Sequence, residues 1–133
     1  MFKLLSRGAQ QVADYFTACH LCDIGVRAHH GVCQSCWQQL PWLKHKIERH
    51  QQDILVACHY EYPISQLIQQ FKYEQQLHHL RLLSGLLLEL KLPKVHAIVP
   101  MPISNDRLME RGFNQSLLIA KELSKVLNIP VWQ

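Results

Sequence analysis

No stretch of this 133-residue chain is apolar for long enough to cross a bilayer. The longest apolar run, residues 82–90, is broken by Ser84 and Glu89 and falls far short of the roughly 20 residues a membrane helix needs. No membrane insertion is expected. The first 18 residues lack a signal-peptide core, because Ser6, Arg7, Gly8, Gln10 and Gln11 interrupt the apolar start, and secretion is not expected. Five glycines, none beside another, leave no glycine-rich phosphate loop. Internal repeats and low-complexity tracts are absent too. The basic excess is mild, 14 Lys+Arg against 10 Asp+Glu, a formal net charge of +4. It favours an anionic partner such as nucleic acid or phosphate without requiring one, since the basic residues are scattered.

Cysteine is what the chain does have, in a pattern. Cys19-x2-Cys22 is followed after ten residues by Cys33-x2-Cys36. Each C-x-x-C turns back and aims two sulfurs at one point, so two such pairs across a short loop predict a tetrahedral zinc site. The spacer requires a tight hairpin, for which Gly25 and Gly31 are suited. Four thiolates close the coordination shell, which makes the zinc structural, because a catalytic zinc keeps a position open for water. His20, His29 and His30 stand among the ligands and could replace a cysteine, and four cysteines also ligate iron–sulfur clusters. Thiols kept free for metal place the protein in a cytoplasm. The fifth cysteine, Cys58, reads as a small buried residue of a strand.

Apolar residues at three- and four-residue spacing predict a helix over 3–17 leading into the cysteines. The polar stretch 44–53 reads as a linker or exposed helix. Residues 54–60 read as a buried strand, Pro63 as the opening of a helix whose face is Ile64, Leu67, Ile68 and Phe71, and 77–91 as a leucine-rich helix. His78 and His79, at its start, read as solvated surface. A short strand over 96–99 precedes a polar loop or helical turn at 104–111 ended by Gly112. Asn114 is the expected N-cap of a helix running to about Leu127, with Asn128 at its exit. A new extended segment starts at Val131. This order predicts an α/β fold with a partly parallel sheet.

Arg107 and Arg111 are four residues apart, on one face if helical, just past the end of a predicted strand. Ligands of open α/β sheets bind outside such strand ends. Two guanidinium groups and the free N–H groups of the following helix would suit a phosphate, or Asp106 and Glu110 would pair with the arginines in a surface network.

Three segments together resemble the ComF/GntX family. They are Cys33-x-x-Cys36-Trp37 with Leu40-Pro41-Trp42, then Tyr60-x-Tyr62-Pro63 with Phe71-Lys72-Tyr73, then Val99-Pro100-x-Pro102 with Arg107-Leu108 and Arg111-Gly112-Phe113-Asn114-Gln115. The resemblance implies a zinc-ribbon-like module with Cys19, Cys22, Cys33 and Cys36 as metal ligands, followed by the first half of a type I phosphoribosyltransferase-like α/β domain. We expect residues 1–50 to hold the N-terminal helix and zinc module and 51–133 the partial transferase-like domain.

It further implies that residues 100–104 occupy the loop where related transferases hold pyrophosphate, with Arg107, Arg111 and Asn114 in the signature beside it. With Lys72, these are the expected anion contacts. The role implied is natural competence: DNA uptake and transformation, with single-stranded DNA and DNA-translocation machinery as partners. The alternative is a phosphoribosyltransferase using phosphoribosyl pyrophosphate with Mg²⁺. Such enzymes grip the ribose with adjacent acidic residues and a Thr/Gly-rich loop, and no two acidic residues are adjacent here. The chain is therefore expected to be a fragment, a truncated reading frame or a protein using only the front half, inactive as a transferase by itself.

Overall fold

A computed structural model describes Val12 and residues 16–133 of the chain. The helix expected over 3–17 lies almost wholly outside the described residues. The fold is mixed α/β, and contacts divide it into two compact units, Met1–Leu40 and Pro41–Gln133.

The first unit is built from tight turns. Single antiparallel bridges join Ala18 to Val26 and His29 to Val32. Between His29 and Val32 the chain reverses through His30 (φ 49°) and Gly31 (φ 92°), both left-handed, the combination a two-residue hairpin turn requires. Helix α1, Gln34–Gln38, then starts directly after Cys33, and its Trp37 is buried beneath the stacked ring of His29, centroids 5.3 Å apart.

The second unit opens with an antiparallel hairpin of β1, Trp42–Arg49, and β2, Gln52–Cys58, in which Arg49 faces Gln52 and Ile47 faces Ile54. The linker or exposed helix expected over 44–53 is thus a strand and its turn. His50 and Gln51 both adopt positive φ (51° and 62°), so a His-Gln pair performs the reversal usually signalled by Asn-Gly. The charges that suggested a linker point outward from a half-exposed ribbon, where Lys46 pairs with Asp53 at 3.2 Å.

Helix α2, Ile64–Tyr73, buries Ile64, Leu67 and Phe71, one stripe at helical spacing. The expected helix over 77–91 is a 3₁₀ turn, Leu77–His79, leading into α3, Leu80–Leu88. His79 is buried, not solvated, because its Nε2 finds the Gln70 amide oxygen at 2.8 Å and that of Gln76 at 3.2 Å. Ser84 is tolerated among leucines because its hydroxyl donates back to the Leu80 carbonyl at 2.7 Å.

Among the described residues the expected strand over 96–99 reduces to a single parallel bridge between Ile98 and Val131. Helices α4, Asn105–Arg111, and α5, Gln115–Leu127, lie between these bridge partners in sequence and are capped as the residue types dictate. Ser104 accepts from the Arg107 N–H and Asn114 from that of Leu117, while Gly112 and Asn128 supply the left-handed exits. Helix α5 packs on α3 and buries Ala120. Between β2, α2, α3 and α5 lies an apolar cavity of about 380 Å³ with Cys58 on its wall. Among the described residues no helix is long and apolar enough to cross a membrane.

Phe71 is the most deeply buried large side chain of the second unit, 2% exposed, with its ring against Phe113. Phe71→Ala is predicted to lower unfolding stability by about 3–5 kcal/mol in urea titrations, whereas Ile24→Ser, at an exposed loop position, should change it by under about 0.5 kcal/mol.

Candidate functional site

Two constellations carry chemistry, one in each unit. In the first, the sulfurs of Cys19, Cys22, Cys33 and Cys36 all lie within 4.8 Å of one another, so the quartet could hold a metal ion. Cys22 and Cys33 Sγ are 3.8 Å apart, close to the roughly 3.8 Å edge of a tetrahedron whose sulfurs sit about 2.3 Å from its centre. Backbone donors face the sulfurs: Leu21 and Cys33 N–H reach Cys19 Sγ at 3.3 and 3.2 Å, and Gly25 N–H reaches Cys22 Sγ at 3.4 Å. Such donors stabilise thiolate, the form that ligates metal.

The same donors act on Cys22. The N–H groups of Gly25 and Ile24 lower its thiol to about 6, while Cys36 is pushed far up by burial and by the neighbouring sulfurs. Gly25 is required by space, because a Cβ there would stand 2.6 Å from the Cys33 Cβ. His29 and His30 pack on Trp37, and none of the three histidines enters the cluster of sulfurs.

The second constellation is a cleft of about 400 Å³ at the junction of α2, α4 and α5. Lys72, Arg107, Arg111 and Asn114 all line it, together with the loop from Met101 to Ser104. The four residues expected as anion contacts, separated by up to 42 positions in sequence, therefore share one surface. Among the described residues no carboxylate lines the cleft. Among the described residues neither Asp106 nor Glu110 pairs with an arginine, and the arginine Arg111 turns elsewhere: one terminal nitrogen donates to the Gln115 amide oxygen at 3.1 Å and the other to the Tyr73 hydroxyl at 3.2 Å. Asn114 caps α5 and donates to the Met101 carbonyl at 3.3 Å, pinning the loop to the helix start. The first turn of α5, with Gln115 and Ser116 on the cleft wall, adds the positive end of a helix dipole.

Tyr73 and Gln115 were not among the expected contacts. Gln115 stands four residues after Arg111 and Tyr73 directly after Lys72, but nothing in those spacings shows that α2 meets the α4–α5 junction. Gln115 is 7% exposed, and its amide nitrogen and Arg111 Nε are buried without hydrogen-bond partners among the described residues. Cys58, expected as a buried residue, is half-buried on β2, and desolvation pushes its thiol up to about 11.

A mixed α/β chain with a four-cysteine cluster near its start and a cationic cleft in the second unit is the class these features define. Competence protein F of Haemophilus influenzae is 33% identical over 137 residues, 95% of this chain and 55% of that protein. DNA utilization protein YhgH of Escherichia coli is 32% identical over 124 residues, 84% of this chain and 49% of that protein. The chain belongs to the ComF family, and it spans about half the length of these curated relatives. No family profile matches it, and no solved structure does.

In the metal-free reduced chain, iodoacetamide at pH 7 is predicted to modify Cys22 first, since it is exposed and ionised there, and Cys58 far more slowly, since its thiol stays protonated until about pH 11. Metal should protect Cys22. Peptide mapping after timed quenching reads both rates.

Proposed function

We propose that this chain serves DNA uptake and use, as a binding or assembly factor whose cationic cleft takes the phosphates of incoming single-stranded DNA. The names of the two relatives support the process. The observation that carries the binding role is the gathering of Lys72, Arg107, Arg111 and Asn114 on one surface that has no carboxylate among its described lining. Cytoplasmic residence and contact with the DNA-translocation machinery follow from the same reading.

In it, the unit that ends at Leu40 forms a metal clip and the unit from Pro41 a partial phosphoribosyltransferase-like domain. Cys19, Cys22, Cys33 and Cys36 would hold zinc. That ion would cross-link the turns of a unit too small to be stabilised by its own core, and its closed shell leaves no position for substrate. Arg107 and Arg111 would meet phosphate oxygens as planar donors and Lys72 as a point charge, with Asn114 fixing the loop between them.

A transferase reading, with phosphoribosyl pyrophosphate and Mg²⁺, draws support from residues 101–104 lining the same cleft. The adjacent acidic residues that would grip the ribose are absent from these 133 residues. Binding is therefore placed ahead of turnover.

Metal analysis of reduced protein should return one zinc per chain, and a value near zero sinks the four-thiolate assignment. Single-stranded DNA binding should weaken with salt along a log–log slope of about −2, from three phosphate contacts at roughly −0.7 each, and Arg107→Ala or Arg111→Ala should each flatten it by about 0.7. No binding even at low salt removes the nucleic-acid role. Calorimetry with phosphoribosyl pyrophosphate and Mg²⁺ should show no tight binding, and micromolar affinity would reverse the order of the two readings.

A further inference from the structure

We infer that Tyr73 is a positioning residue that holds the Arg111 guanidinium in place for an oxyanion bound in the cleft. The inference rests on the oxyanion reading of that cleft. Arg111 has five N–H donors in a planar fork on a long side chain, and an unheld fork loses rotamer freedom whenever it engages a ligand. Here it is held beforehand from two sides. Gln115 takes one terminal nitrogen, and Tyr73 takes the other at 3.2 Å while offering its ring to the guanidinium carbon at 5.0 Å.

Two of the five donors are thus spent on orientation, one on each terminal nitrogen. Each of those nitrogens retains a second N–H, and the fork stays on the cleft wall. The two holders differ in kind. Gln115 is buried on α5, one turn from Arg111, whereas Tyr73 is 55% exposed at the end of α2, 38 positions away in sequence. Its hydroxyl serves no core packing, and Tyr73 does not line the cleft itself. What it touches is the arginine.

The test is calorimetric titration of the full chain with inorganic pyrophosphate at low ionic strength. Tyr73→Phe, which keeps the ring and loses the acceptor, should weaken binding about five- to tenfold, and Tyr73→Leu should weaken it further, so that phenylalanine partly rescues leucine. Tyr60→Phe is the control: that tyrosine also accepts a side-chain bond, from Gln69 at 3.1 Å, but does not line the cleft, and its loss should leave affinity unchanged.

In an Arg111→Lys background the fork is gone, and Tyr73→Phe should then change affinity by less than about twofold. An unchanged affinity for Tyr73→Phe in the native background overturns the inference while leaving the cleft's role intact. So does an equal loss in both backgrounds, which would mean general loosening. A native chain that binds no pyrophosphate overturns the oxyanion reading itself and this inference with it. Thermal unfolding followed by circular dichroism identifies any variant that fails to fold.

Discussion

The ring contact between Phe71 and Phe113, centroids 5.7 Å apart, holds the two sides of the cationic cleft together. Phe71 ends the buried stripe of α2 and Phe113 lies between α4 and α5, so their packing sets Lys72 and Tyr73 beside Arg111 and Asn114. Bringing cations together opposes this. In solvent two like charges 4 Å apart repel by about 1 kcal/mol, and the repulsion falls with salt. Burying a phenylalanine contributes about 1.5–3 kcal/mol, and a well-placed ring pair about 0.5–1.5 more. Packing therefore outweighs repulsion, and the cleft does not need an anion to exist.

Much of this was legible because it is local. Asn114, Gly112 and Asn128 mark helix ends by what their own backbone and side chains can do, and the cysteine spacing fixes the geometry of its turns. The four-residue spacing of Arg107 and Arg111 put both on one helical face. What stayed hidden depends on contacts between distant segments. The charged strand β1 carries no strong apolar alternation, and its His-Gln turn resembles none of the usual hairpin signals. His79 is buried by Gln70 and Gln76, a fact about where α2 ends relative to the next turn. Tyr73 belongs to the site only because Phe71 docks where it does.

The cysteine unit answers a different constraint. Four sulfurs within 4.8 Å repel one another as thiolates; burial together with those neighbours drives the Cys36 thiol up, while the N–H groups of Gly25 and Ile24 draw Cys22 down. Backbone N–H groups relieve part of the strain on Cys19 and Cys22, and they are available because the turns close tightly enough to aim them. Gly25 is what permits that closure, since a side chain there would collide with Cys33.

The composition of the cleft limits the chemistry its own side chains can supply. Among the described residues its ionisable groups are Lys72, Arg107 and Arg111, with no carboxylate or imidazole on its wall. Proton transfer near neutral pH needs a group whose affinity for the proton is poised there, and arginine holds its proton at any pH a protein survives. Ser104 and Ser116 share the described lining with no carboxylate or imidazole that could activate them. The described lining thus concentrates positive charge without a proton-transfer group poised near neutral pH. A bond-breaking step on it would draw its acid or base from the ligand or from a segment beyond the described lining, and on that ground our proposal puts binding first.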